Sequence, residues 1–330
     1  VSAMNEHNPL FSHPWPWQRL GIKEAWQCVK PGNSSVTVAV IDSGIDQNHR
    51  DLKRHLLKAK AIPIFGSDTR DDDDHGTSIA GTIAACTCTA RNSRDEPRVK
   101  ILPVKFCSQQ VPPNAGLGAQ AITMALDAKY AGTPMVIVLA WDCGFNSPAL
   151  RQAIQRAGRE GVTVVVAAGN QALDNDWYPN WPADYGTEDH VITVMATDKD
   201  NRTEGYNHDW INQRAWFSSF GKTTVAIAAP GAKIMSTVLY CTSPVSSNGI
   251  LIGYREHSGT STATANVAGL VALMLLNNPS ARPDELKRHL CAAAKPARPR
   301  LQNASGGVAH GQAVCGPIAK VRAVRVARNN

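Results

Sequence analysis

Four stretches of this chain, residues 36–41, 99–106, 135–140 and 162–168, are short and almost unbrokenly apolar, rich in Val and Ile. A strand that shows one face to water alternates apolar and polar residues, whereas a strand apolar at nearly every position must be covered on both faces. Between these runs lie segments suited to helices, at 79–85, 119–130 and 148–159. A longer one follows at 267–276, where Val267, Leu270, Val271, Met274 and Leu275 share a helical spacing. Further strands are expected at 190–196 and 223–229, a helix at 282–293, and a short helix at 17–28 behind an extended arm over 1–16. Buried strands alternating with helices specify an α/β fold of three layers, a mostly parallel central sheet with helices on both faces. The 330 residues can bury one large core. No repeat or linker divides them, so a single domain over 1–316 and a basic tail over 317–330 are expected.

Charge narrows the partners. The net charge of +7 resides entirely in residues 294–330, which hold seven basic residues and no acidic one, and the preceding 293 residues are neutral. A nucleic-acid surface would gather basic residues with aromatics on a folded face, and none is recognisable. No run of 18 apolar residues appears, so no membrane span is expected. The eight cysteines are thinly spread and lack zinc-ligand spacing, which leaves both free thiols and disulfides open. His7, His13, His49 and His55 are scattered without metal geometry, so no metal is expected.

In open α/β sheets, functional groups collect beyond the carboxyl ends of the strands. Asp42 ends the first apolar run, Asn170 follows the fourth through Gly169, His75 heads a small-residue helix, and Ser261 sits where an irregular segment meets the 267–276 helix. Each has a local reading: Asp42 and Asn170 as turn residues, His75 and Ser261 as helix caps. Together they supply a nucleophile, a base, a carboxylate to orient the base and an amide donor, the parts of acyl transfer. The backbone N–H of a serine at a helix start is also unpaired and favoured by the helix dipole to meet a negative oxygen. The Gly116-Leu117-Gly118 run lacks the third glycine of a dinucleotide fingerprint, which sets a nicotinamide-dependent oxidoreductase aside.

The motifs carrying these residues, Val38-Ala-Val-Ile-Asp42-Ser-Gly44, His75-Gly-Thr-Ser-Ile-Ala-Gly81, Val164-Val-Val-Ala-Ala-Gly-Asn170 and Gly259-Thr-Ser-Thr-Ala263, resemble in that order the Asp, His, oxyanion-hole and Ser signatures of the subtilisin-like serine proteases. The resemblance covers about residues 17–316. It implies a serine endopeptidase with Ser261 as nucleophile, His75 as base and then acid, Asp42 orienting the imidazole, and the Asn170 amide with the Ser261 N–H as the oxyanion hole. It also implies a polypeptide substrate laid as an extended strand along Gly116, Leu117 and Gly118 and along the segment after Leu139, with Trp141, Asp142, Cys143, Gly144 and Gly169 at the pocket for the residue before the scissile bond.

Two departures bear on function. Trp141-Asp142-Cys143-Gly144 stands where a Ser-Leu-Gly-type run is usual; its carboxylate either favours basic side chains or simply faces solvent. A blocked cleft there would make the chain a catalytically silent peptide-binding or regulatory module, the alternative to an enzyme. The calcium loop of secreted relatives is not recognisable in 86–98. Asp51 matches one calcium ligand, and one ligand is not a site, so no cofactor is expected to be required. The Asp71–Asp74 run reads as a calcium ligand set, an aid to the basicity of His75, or a solvated loop. The expected assembly is a monomer, inhibited by a pro-segment outside this chain. Starting at Val1 without an initiator Met, the chain reads as processed, which leans the compartment toward secretion.

Overall fold

The apolar runs become the middle of one sheet. The computed structural model of the chain describes residues 9–11, 14–199, 213–239, 253–297 and 301–319. In chain order its strands are β1 (Val36–Asp42), β2 (Ile62–Pro63), β3 (Val99–Lys105), β4 (Met135–Leu139), β5 (Thr163–Ala167), β6 (Val191–Asp198), β7 (Gln213–Arg214), β8 (Ile227–Pro230), β9 (Ile234–Thr237), β10 (Tyr254–His257), β11 (Lys295–Pro296) and β12 (Gly307–Val308). Its helices are α1 (Trp15–Leu20), α2 (Ile22–Cys28), α3 (His75–Cys86), α4 (Ala115–Asp127), α5 (Pro148–Arg159), α6 (Thr260–Asn277) and α7 (Pro283–Ala292). The sheet runs β11-β12-β8-β6-β5-β4-β1-β3-β2. From β12 to β2 all neighbours on this path are parallel. Antiparallel pairing occurs where β11 meets β12 and where β7 meets β6.

Every residue of β1, β4 and β5 is buried, and β1 shows why. Val36, Val38 and Val40 point into a cluster with α3 and α6, while Ala39 and Ile41 point into a second cluster with α4 and α5. The chain leaves β1 first toward β3 and then crosses back to β4, so the strand order reverses around β1. That reversal opens a crevice beyond the strand ends, the usual place for a site in such sheets.

α6 is buried along 17 of its 18 residues, Asn277 at its end being the partly exposed one. By length and hydropathy it would suffice to cross a membrane, yet 94% of it is buried inside the protein, which makes it the core helix. Its last residue gathers both ends of the described chain: Asn277 Nδ2 donates to the carbonyls of Cys28 and Val314, and Oδ1 accepts from the Lys30 N–H. A disulfide between Cys28 and Cys315 closes the same join.

Several boundaries differ from the sequence reading. Within the expected arm, Pro9–Phe11 is a 3-10 turn whose Leu10 is buried and accepts from Trp17 Nε1, and α1 begins at Trp15; residues 1–8, 12 and 13 lie outside the described residues. The single helix expected at 17–28 is broken at Gly21, which takes a left-handed conformation (φ 58°) and closes α1. α4 starts at 115 rather than 119 because Asn114 Oδ1 caps it, accepting from the Leu117 N–H at 2.9 Å. Ile318 packs into the core, so the folded region runs past 316; residues 320–330 of the expected tail lie outside the described residues.

Candidate active site

Asp42, the last residue of β1, is 2% exposed, and its carboxylate lies 2.8 Å (Oδ1) and 3.0 Å (Oδ2) from His75 Nδ1. A carboxylate only accepts, so Nδ1 carries the proton and Nε2 is left as the basic nitrogen. The approach requires glycine at 76: a Cβ there would stand 3.1 Å from the Asp42 Cβ and overlap the Gly44 carbonyl. Burial works against the imidazolium, but the Asp42 carboxylate outweighs it, with Asp73 and Asp71 adding to the effect, and the His75 pKa is pushed up to about 9.

The acidic run before His75 is built in rather than solvated. Asp71 is buried and accepts from the Ser43 hydroxyl (2.8 Å), the Asp73 N–H (3.0 Å), the Thr77 N–H (2.9 Å) and the Thr77 hydroxyl (2.6 Å). Ser43 Oγ in turn accepts from the Gly76 N–H at 3.0 Å. Asp71 and Ser43 thereby tie the turn after β1 to the first turn of α3, and burial pushes the Asp71 carboxyl above its ordinary value. Asp72 pairs with Lys105 Nζ at 3.1 Å, and that ammonium also donates to the carbonyls of Ser43 and Arg70. Asp74, in a left-handed conformation, accepts from the Leu239 N–H. The side chains of Asp72 and Asp73 are exposed, in keeping with the solvated-loop expectation.

Ser261 lies in the first turn of α6 and is 8% exposed. Asn170 stands beside it. Its Oδ1 accepts from the Thr260 N–H (2.9 Å) and the Thr260 hydroxyl (3.0 Å), which turns Nδ2 the other way. A Cβ built on Gly259 would stand 2.8 Å from Ser261 Oγ and 3.7 Å from Asn170 Nδ2, so hydroxyl and amide flank the same backbone atom. Among the described residues neither Asn170 Nδ2 nor the Ser261 N–H has an acceptor, and Ser261 Oγ makes no hydrogen bond. The structure thus joins Asp42 to His75 and Asn170 to the start of α6, but records no hydrogen bond between His75 and Ser261. Such bonds are commonly long without substrate. A second histidine, His257 at the end of β10, is pushed down to about 4 by burial and by the nearby Arg255 and His75, so of the two only His75 is a base strengthened by its surroundings.

The expected substrate-facing residues divide. Gly116, Leu117 and Gly118 do not offer an extended strand, because they form the first turn of α4 and the Gly118 N–H is bonded to the Asn114 carbonyl. Trp141 is buried rather than lining an open wall: Nε1 donates to the Ile41 carbonyl at 3.0 Å and the indole packs on Phe106, with ring centroids 4.7 Å apart. Asp142 is half-buried and accepts from Gln171 Nε2 (3.1 Å) and Asn180 Nδ2 (3.4 Å). The Cys143 N–H donates to the Trp181 carbonyl, and Gly144 is exposed in a left-handed conformation. Gly169 (φ 105°) lies against the Gln171 and Asn180 side chains. Residues that sequence reading passed over are Ser43, Thr260, Gln171 and Asn180. Ser43 and Thr260 adjoin the motif residues in the chain, whereas nothing local marks Gln171 or Asn180.

The description that matches the chain, over residues 33–319, is that of the subtilase family. The chain belongs to the subtilase family. The chain is 33% identical over 251 residues to a thermophilic serine proteinase of Bacillus sp. (strain AK1), covering 76% of this chain and 54%, about half, of that relative's length. It is 31% identical over 283 residues to thermitase of Thermoactinomyces vulgaris, covering 83% of this chain and 87% of thermitase. The crystal structure of a cold adapted subtilisin-like serine proteinase superposes with a TM-score of 0.63 at 26% identity, covering 86% of this chain and 89% of that one. The three-layer α/β architecture of the subtilase is therefore the subtilisin-like fold.

Around Asp51 the subtilase does not fit a calcium ion. Asp51 Oδ2 accepts from the Tyr254 hydroxyl at 2.7 Å, and the cavity beside it, about 250 Å³, is lined by Arg50, Arg54 and Arg91. The 88–98 loop is organised by asparagine and arginine contacts. Asn92 Oδ1 accepts from the N–H groups of Arg94 and Glu96, and Arg54 and Arg91 both donate to the Asp95 carbonyl at 2.8 Å. Of the other histidines, His49 bonds the Gly253 carbonyl and His55 the Val99 carbonyl.

Proposed function

We propose that the chain is an active serine endopeptidase that cleaves peptide bonds through an acyl-enzyme. Ser261 Oγ attacks the carbonyl carbon and its proton passes to His75 Nε2, while Asp42 holds the imidazole and stabilises the imidazolium. The carbonyl oxygen, now negative, takes hydrogen bonds from Asn170 Nδ2 and the Ser261 N–H. His75 then gives its proton to the leaving amine, and water completes the cycle along the same path. The observation that carries this reading is the pair of donors, Asn170 Nδ2 and the Ser261 N–H, that lie beside Ser261 Oγ without an acceptor among the described residues, in a chain whose His75 is bound to the Asp42 carboxylate. The substrate is a polypeptide bound by a monomer. The reaction as written calls on no metal, since Ser261, His75, Asp42 and Asn170 supply the nucleophile, the proton transfer and an oxyanion donor. The Cys28–Cys315 disulfide fits an oxidising compartment, in keeping with secretion.

The test is labelling with a fluorophosphonate probe followed by peptide mapping. Modification of Ser261, abolished by Ser261→Ala and accompanied by turnover of a mixed peptide library, is the expected result. A folded chain whose Ser261 does not react overturns the reading. Peptide binding without cleavage would instead support the silent-module alternative.

A further inference from the structure

The segment after β4 carries a feature that catalysis itself does not use. Asp142 is half-buried, and among the described residues it forms no salt bridge; both hydrogen bonds it accepts, from Gln171 and Asn180, fall on Oδ2 and come from neutral amides. It is not a loosely tethered surface residue. On one side the Trp141 indole is buried and bonded to the Ile41 carbonyl, and on the other the Cys143 N–H is bonded to the Trp181 carbonyl. The carboxylate is thus carried on backbone fixed on both sides.

Its position relative to the reacting atoms follows from Gly169. A Cβ at Gly169 would stand 2.6 Å from Gln171 Oε1 and closer still to Asn180 Nδ2, so the two amides that hold Asp142 press on the backbone immediately before Asn170. If Asn170 and Ser261 hold the carbonyl under attack, the side chain of that same substrate residue starts beside Gly169. The Gln171 and Asn180 amides that touch that point also bond Asp142.

We propose that Asp142 anchors a basic side chain, lysine or arginine, on the substrate residue preceding the scissile bond, and that Gln171 covers the carboxylate until substrate displaces it. The inference rests on the endopeptidase reading above. Gln171 is exposed and can leave for water at little cost, whereas Asn180 is half-buried and also reaches the Ala168 carbonyl at 3.5 Å, so it stays. A guanidinium or ammonium in place of the Gln171 amide adds the attraction of opposite charges to the hydrogen bond, in a half-buried setting that strengthens it. An apolar side chain would bury the carboxylate with the Asn180 amide but no counter-charge, and an acidic one would meet like charge.

The test uses the full chain and four peptides that differ only in that residue, Arg, Lys, Leu or Glu, with fluorophosphonate labelling of Ser261 run on every variant. The expected result is kcat/KM for Arg and Lys exceeding that for Leu by about 10–100-fold, with Glu last. Asp142→Asn reduces the Arg-to-Leu ratio toward one while Ser261 still labels, and Gln171→Ala keeps or widens the ratio. Preference for Leu in the unaltered chain, or a ratio unmoved by Asp142→Asn, overturns the assignment while leaving the endopeptidase reading intact. Failure of Ser261 to label in the unaltered chain overturns both.

Discussion

His75 sits between opposing effects: burial disfavours its charged form, and Asp42, Asp73 and Asp71 favour it more, so it titrates near 9 rather than near its ordinary value of 6.5. A general base must be neutral, so kcat/KM is expected to climb through neutral pH and level off above about 9. Stability runs the other way. The proton is held more tightly in the folded state, so this contribution is complete below the unfolded-state value of 6.5 and is lost as pH rises through 9. Asp73 is exposed and bonded to no catalytic atom, which makes Asp73→Asn a clean probe. It removes a negative charge, so the rising limb of the pH–rate profile should move to lower pH by about half a pH unit. A limb that stays in place would leave Asp42 and Asp71 as the cause. At Asn170 the expectation concerns rate. Asn170→Ala should lower kcat by about 10²–10³ with little change in KM, measured by steady-state kinetics, because the lost bond forms only as the oxyanion develops.

Helix starts do most of the positioning. α3 brings His75 to Asp42 because Gly76 permits contact and Asp71 with Ser43 fasten its first turn to the end of β1. α6 brings Ser261 to Asn170 because Thr260, one residue earlier, donates twice to Asn170 Oδ1. The 88–98 loop is held by arginine and asparagine contacts. Tm should therefore be unchanged by EDTA and by added calcium. Asn92→Ala, which strips the loop of two hydrogen bonds, should lower Tm. Stabilisation by calcium alone would point to a cation site elsewhere in the chain.

Across the whole molecule, the Cys28–Cys315 disulfide and Asn277 join segments 287 residues apart onto the end of the core helix. Replacing both cysteines by serine should lower the free energy of unfolding by about 2–4 kcal/mol, read from denaturant midpoints. An unmoved midpoint would mean that Asn277 and packing suffice. At this scale the sequence was most legible. β1, β4 and β5 are apolar at successive positions because helices cover both sheet faces, and that requirement is written locally in the chain. The motif residues were legible too, since each stands at the end of a strand or the start of a helix. The sequence could not reveal that Gly116–Gly118 would turn helical under the Asn114 cap, that Trp141 would be buried, or that Gln171 and Asn180 would meet at Asp142. Nor could it pair Cys28 with Cys315. Periodicity and caps depend on neighbours a few residues away, whereas these outcomes depend on which distant side chains share a space, and only the packed sheet and its crossovers decide that.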